Sequence, residues 1–270
     1  MGTGFQPGAV TNRYVALGSS MAAGPGIRPG AAGAPFGSGR SARNYPHLVA
    51  GALNFELVDV TYSGATTAHV LTERQCAAPP QIDALDGSEA LVTITIGGND
   101  VGYVPLLMAA ALPSPARLLP MIGNLLDRDA RDQALAGVGD SLCAVGAAVR
   151  ERASQARILL VDYAPASGRC PHTLLPPAGV RAAPLSDGNA ELGRHVATRL
   201  EGHTAAAAVA TGCEVVRAGQ VSRDHHAWST LPWTVGAVWP LPWRPAPFHP
   251  NAEGMRSVAE LIVAQVNEVV

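Results

Sequence analysis

The sequence predicts an α/β fold, a parallel β-sheet covered by helices on both faces. Two observations carry this. Five short apolar stretches, partly β-branched and bounded by Gly, Asp or Ser, read as buried strands. They alternate with longer segments of helical period, and that alternation belongs to a sheet with helices on each side. The 270 residues can bury a full core, and the expected organisation is one domain over residues 1–270.

The expected strands are residues 14–17, 57–60, 91–96, 157–161 and 214–216. Between them, residues 45–53 form a first helix. Residues 137–155 form a second, with Leu142, Val145 and Val149 on one face. Residues 187–210 form a third, with Leu192, Val196 and Leu200 spaced by four. The last helical segment, 249–270, puts Met255, Val258, Ala259, Ile262, Val266 and Val269 on one stripe. Two stretches fit neither period: the glycine–proline segment 24–39 and the Trp- and Pro-rich segment 228–250. Long ordered loops are usually functional, and in open parallel sheets sites lie at the carboxyl ends of strands.

Composition removes several function classes. Charged residues make up 15% of the chain, below the average of about 25%. The net charge of −2 leaves no electrostatic footprint for nucleic acid. No apolar run approaches the roughly 18 residues of a membrane span. The opening MGTGFQPGAVTNR has no apolar centre, so no signal peptide is expected there. No two of the four cysteines, Cys76, Cys143, Cys170 and Cys213, have C-x-x-C spacing, so no metal site is expected. They allow two disulfides in any of three connectivities, or free thiols.

Three strand ends carry unusual residues. The first strand runs into Gly18-Ser19-Ser20. The second is followed by Thr61-Tyr62-Ser63-Gly64-Ala65-Thr66, and the third runs into Gly97-Gly98-Asn99-Asp100. A fourth element, Phe248-His249-Pro250-Asn251, opens the last helix. A serine hydroxyl becomes a nucleophile when a base, usually histidine, takes its proton. The oxyanion then needs fixed donors, which glycine-turn N–H groups and an Asn amide supply. Ser20, Gly64, Asn99 and His249 provide these parts. His225 and His226, in SRDHHAWS, are rival bases. Asp100 is expected to brace its loop.

In this order the four blocks resemble the SGNH (GDSL-type) hydrolase family, and more closely its actinobacterial lipase/esterase branch. The resemblance rests on GSSMAAG (18–24), SGAT (63–66), GGND (97–100) and PFHPNAEGM (247–255), and so reaches across almost the whole chain. It implies a three-layer α/β/α, flavodoxin-like arrangement with a five-stranded parallel sheet. It implies Ser20 as nucleophile, His249 as base, and an oxyanion hole from the Ser20 N–H, the Gly64 N–H and the Asn99 side chain. It implies no cofactor. Two positions depart from the family pattern: Ser19 stands where an Asp is usual, and Ala246 stands where an Asp commonly lies three residues before the histidine. Pro247 biases Ala246 towards extended backbone. The Ala246 carbonyl is therefore expected to accept from His249 Nδ1–H, giving a Ser–His dyad. By the same resemblance, Cys170 pairs with Cys213, leaving Cys76 with Cys143, and a secreted or cell-envelope location is expected.

The expected function is hydrolysis of carboxylic esters, acyl-lipid or short-to-medium acyl, through an acyl-enzyme. The substrate is a small-molecule or lipid ester. Alternatives on the same fold are acyl transfer, carbohydrate deacetylation, or a non-catalytic lipid- or glycan-binding module. Trp233, Trp243, Leu106 and Leu107 are candidate substrate-binding residues. The tryptophans otherwise anchor their loop, and residues 104–126 form a candidate lid or acyl pocket.

Overall fold

Side-chain alternation along the first strand sets the layers. In β1 (Arg13–Gly18), Val15 and Leu17 enter one core cluster while Tyr14 and Ala16 enter another, and all four are fully buried. The computed structural model describes residues 12–162, 185–238 and 244–268. After β1 come α1 (Ser20–Ala23), α2 (Tyr45–Leu53), β2 (Glu56–Asp59), α3 (Thr67–Leu71) and β3 (Leu91–Thr95). Then follow α4 (Tyr103–Ala110), α5 (Ser114–Arg117), α6 (Pro120–Leu125), α7 (Arg128–Arg152) and β4 (Arg157–Val161). The described chain ends with α8 (Asp187–Ala210), β5 (Glu214–Val216), α9 (Ala218–Val221) and α10 (Ala252–Asn267).

The five strands are parallel, in the order β2-β1-β3-β4-β5. This is the flavodoxin-like order, whose site lies at the switch point beside β1. Helices α4, α7 and α8 cover one face, contributing Leu106, Leu142, Val149 and Leu200. Helices α2 and α10 cover the other, contributing Tyr45, Val49, Met255 and Ile262. Two tyrosines inside the layers are paired: Tyr14 Oη lies 2.7 Å from Thr93 Oγ1, and Tyr45 Oη 2.8 Å from Thr95 Oγ1.

Several helix starts follow local chemistry. Asn44, Asp127 and Asn251 are N-caps whose side chains accept from the N–H groups of His47, Ala130 and Gly254. The Asp127 cap starts α7 nine residues before the expected 137, because residues 128–136 lack the apolar stripe that marks the rest of the helix. The last helix begins at Ala252 rather than with His249, since Pro250 is held in an extended bridge to Thr234.

Gly18 ends β1 at φ +144°, and a Cβ there would lie 2.5 Å from the Thr95 carbonyl oxygen. Only glycine fits a strand end pressed this closely onto its neighbour. The cysteine expectation is corrected in part. Cys76 is an exposed free thiol in the turn after α3, and Cys143 is a free thiol mid-way along α7, packed against the core. They sit in different surroundings and form no bridge. Cys213 is also free and accepts from Thr211 Oγ1 at 3.3 Å; Cys170 lies outside the described residues.

Gly18→Ala should lower stability by roughly 2 to 4 kcal/mol, the combined cost of overpacking and a disfavoured φ. Urea unfolding checks this: the midpoint should fall, and an unchanged midpoint would show that β1 and β3 separate here without penalty.

Candidate active site

The site is built where β1, β2 and β3 end. Past Gly18, the Ser19 N–H donates to Thr95 O at 2.9 Å, and the Ser19 carbonyl accepts from Ala22 and Ala23. The chain thereby turns into α1, with Ser20 as its first residue. A first-turn N–H has no intrahelical acceptor, so the Ser20 N–H points outward from the sheet end. The loop after β2 is tied to the same place, because Tyr62 N–H donates to Gly18 O at 2.9 Å. Gly64 follows at φ +82°, a conformation that suits glycine. Among the described residues, neither the Ser20 nor the Gly64 N–H meets a protein acceptor.

The loop after β3 locks onto the loop after β2. Asn99 Nδ2 donates to Ala65 O at 2.8 Å, which leaves its second N–H for another acceptor. Asp100 accepts from Thr67 Oγ1 at 2.6 Å and from Thr67 N at 3.1 and 3.2 Å, so it braces the start of α3. That is the loop-bracing role its position predicts.

The histidine arrives from the other end of the chain. His249 Nε2 lies 2.8 Å from Ser20 Oγ, with the two residues only 8% and 6% exposed. Its Nδ1 lies 2.7 Å from Pro247 O. A carbonyl only accepts, so the proton belongs on Nδ1 and the Nε2 lone pair faces the serine hydroxyl. This corrects the expected acceptor. The Ala246 carbonyl takes the His249 backbone N–H at 3.3 Å, closing a turn, and is not the group facing the ring. Phe248, buried at φ +57°, reverses the chain inside that turn and aims the Pro247 carbonyl at Nδ1.

The turn is clamped on several sides. Ala246 N–H donates to Pro25 O at 3.0 Å, while Val235 exchanges backbone bonds with Phe248 and His249 at 2.9 Å each. Asn251 Nδ2 donates to Pro232 O at 2.6 Å. Burial holds the His249 imidazole below the usual histidine value, and the Pro247 carbonyl partly offsets this.

The rival histidines are occupied elsewhere. His225 stacks on Trp233 with ring centres 4.0 Å apart, and its Nδ1 lies 2.8 Å from Leu231 O. His226 Nδ1 accepts from Trp228 N–H. Trp233 thereby packs within the loop whose residues 232–235 pair with the His249 turn. Leu106 and Leu107 are fully buried in the core and present no surface to a substrate, which corrects their expected role; the exposed large apolar residues of that region are Leu112, Leu118, Leu119 and Met121. Trp243 lies outside the described residues.

Gln81, unforeseen in the sequence, grips the strand end: Gly18 N–H donates to its Oε1 at 2.7 Å, and its Nε2 donates to Gly18 O at 3.0 Å. No periodicity or motif marks it. Its only signal is a position after Pro79-Pro80, where a 3-10 turn (Gln81–Ala84) begins.

A profile of the GDSL-like Lipase/Acylhydrolase family matches residues 16–257, a span that holds Ser20, Gly64, Asn99 and His249. The chain belongs to that family. It is similar to Lipase 2 of Streptomyces coelicolor, 32% identical over 258 residues, which cover 92% of this chain and 83% of the relative. Among solved structures it is similar to phospholipase A1 from Streptomyces albidoflavus, with TM-score 0.76 and 25% identity over 94% of this chain and 98% of that one. The extracellular lipase from Streptomyces rimosus shares the fold, with TM-score 0.75 and 23% identity over the same shares of the two chains. As a member of the GDSL-like family the protein is a lipase/esterase, a carboxylic ester hydrolase. Among the described residues no helix is long and apolar enough to cross a membrane.

His249 should titrate below the ordinary histidine value of about 6.5, because its folded environment favours the neutral ring. Imidazole proton shifts followed by NMR against His249→Gln should assign a resonance that is still neutral at pH 6.5. A His249 resonance titrating above that value would show that the ring is not desolvated as described.

Proposed function

We propose that the protein hydrolyses acyl-lipid or short-to-medium acyl esters through an acyl-enzyme on Ser20, with His249 as the base. The observation that carries this reading is the continuous chain from Pro247 O to His249 Nδ1–H, and from Nε2 to Ser20 Oγ, with contacts of 2.7 and 2.8 Å. Nε2 takes the hydroxyl proton as Oγ bonds to the ester carbonyl carbon. The resulting oxyanion lies against the Ser20 N–H, the Gly64 N–H and the free Asn99 amide hydrogen. Nε2–H then protonates the departing alkoxide oxygen as the C–O bond breaks. A water molecule, deprotonated by the same nitrogen, releases the acid and restores Ser20.

No carboxylate supports the imidazolium in this scheme. The Pro247 carbonyl dipole does so, and it also fixes the tautomer. The names of the relatives, lipase and phospholipase A1, favour a lipid ester as substrate. A secreted or cell-envelope location belongs to the same reading and rests on the family branch; the free thiols of Cys76, Cys143 and Cys213 add nothing to it.

Hydrolysis of p-nitrophenyl esters of increasing chain length, with labelling by a serine-directed phosphonate, tests the assignment. Ser20→Ala should lose about 10⁴-fold or more in kcat and all labelling. Asn99→Ala should lose about 10²- to 10³-fold in kcat with KM little changed. Labelling that survives Ser20→Ala and vanishes in Ser19→Ala would move the nucleophile to Ser19.

A further inference from the structure

A cavity of about 480 Å³ opens beside the loop that follows β2, and neither Ser20 nor His249 lines it. Its size falls within the roughly 300–1,000 Å³ typical of small-molecule sites. One wall is apolar, made by Val60, Tyr62, Ala78, Pro79 and Pro80. Arg40 stands at one side and also lines an adjoining cavity of about 380 Å³ under the glycine-rich loop 26–39. Arg40 and Pro35 are common to both.

Arg40 is the unusual member of this wall. Its side chain is only 13% exposed. Nε donates to Thr61 O at 3.0 Å and lies 3.6 Å from Asp59 Oδ1. Among the described residues, its two terminal guanidinium nitrogens have no hydrogen-bond partner. Arg157 makes the contrast clear, since its three nitrogens are spent on Glu214, Gln265 O and Val266 O. A guanidinium stays charged at all ordinary pH values. Four of its five N–H donors are therefore left for solvent or a ligand, and they form a fork suited to an anion. The acid that shares the cavity wall, Asp83, is already paired with Arg152 at 3.2 Å.

We propose that this cavity is a second ligand site, distinct from the Ser20–His249 pair, which takes an anionic single-chain amphiphile. The head group meets the free fork of Arg40, and the chain lies along Val60, Tyr62, Ala78 and Pro79. Carboxylate and phosphate heads both match a guanidinium fork in two-point geometry. The site abuts the loop that carries Gly64. Gln75 lines the cavity and donates to Ser63 O at 2.8 Å, and its Nε2 lies 3.5 Å from where a Gly64 Cβ would be.

The test uses the full chain and a photoreactive, diazirine-bearing decanoate, with adducts mapped by mass spectrometry and decanoate affinity measured by calorimetry. Adducts are expected on peptides covering 75–84 and 33–40. Arg40→Gln should weaken decanoate by about 10- to 100-fold, the usual range for a lost hydrogen bond to a charged group. Ala77→Trp, at an exposed position of the wall, should block binding while leaving Arg40 in place, so a folding defect in the first variant does not decide the outcome. Decanol should bind at least about tenfold more weakly than decanoate. Decyl phosphate sorts phosphate from carboxylate heads, and binding of either through Arg40 supports the site. Adducts confined to peptides carrying Ser20 or His249 would overturn the proposal and place the amphiphile at the Ser20–His249 pair. Equal affinity for decanol and decanoate, or no saturable adduct, would also overturn it. Because these readouts are binding and location, they remain decisive even if Ser20 proves not to be the nucleophile.

Discussion

At Gly18 the backbone of β1 is gripped from three directions. Thr95 stands opposite it in the parallel ladder with β3, Gln81 takes both its N–H and its carbonyl, and Tyr62 donates to that same carbonyl. The grip brings the ends of three strands to one point and fixes where the next residues go. Ser19 is spent in the turn and Ser20 begins α1, so the hydroxyl that meets the histidine is chosen by backbone geometry rather than by side-chain chemistry. An amide side chain acting as a strand partner is well suited to this position, since it satisfies a buried donor and a buried acceptor together.

The histidine needs a different kind of support, because it comes from sequence 229 residues away. Residues 232–235 pair with residues 248–251, and Pro25 from the first loop holds Ala246. Gly26 shows how close this approach is: a Cβ there would lie 1.9 Å from Arg244 O. The disfavoured φ of Phe248 is tolerated because its side chain is buried and its neighbours on both sides are hydrogen-bonded. The loop after β1 thus carries Ser20 and, through Pro25, holds the turn that presents His249.

The sheet was legible in the sequence because its strands are unbroken apolar runs closed by Gly, Asp or Ser; β4 and β5 match the expected ranges and the others differ by one residue at one or both ends. Helices α2 and α8 were equally plain. Ser20, Gly64, Asn99 and His249 could be picked out because each sits at a strand end or helix approach that needs a particular residue type. What could not be read was orientation. Whether Ala246 or Pro247 offers its carbonyl depends on the backbone at Phe248, and no local pattern gives a bulky residue a positive φ. Leu106 and Leu107 were misjudged for a related reason: an apolar helix buried between layers and an apolar lip share one composition. Gln81 was invisible because a single polar residue after two prolines gives no period to read.

The choice of a carbonyl as partner for Nδ1 bears on how deeply the pair is buried. A carboxylate behind the ring would stabilise imidazolium strongly, but its own charge would have to be taken out of water at a cost of several kcal/mol. Pro247 O brings no net charge, so the resting pair, neutral serine and neutral imidazole, can be almost fully enclosed. The consequence is an imidazole that holds a proton less readily, since burial disfavours the protonated ring and the carbonyl offsets only part of that effect. The lowered value has a compensating result: the ring stays unprotonated at pH values where an exposed histidine would already be charged. In the mechanism we propose, a buried Ser20–His249 pair of this kind places more of the stabilisation of the reacting state on the oxyanion donors. The Ser20 and Gly64 N–H groups assigned that role lie on loops that Gly18, Tyr62, Asn99 and Asp100 hold in place through bonds that do not depend on the protonation of His249.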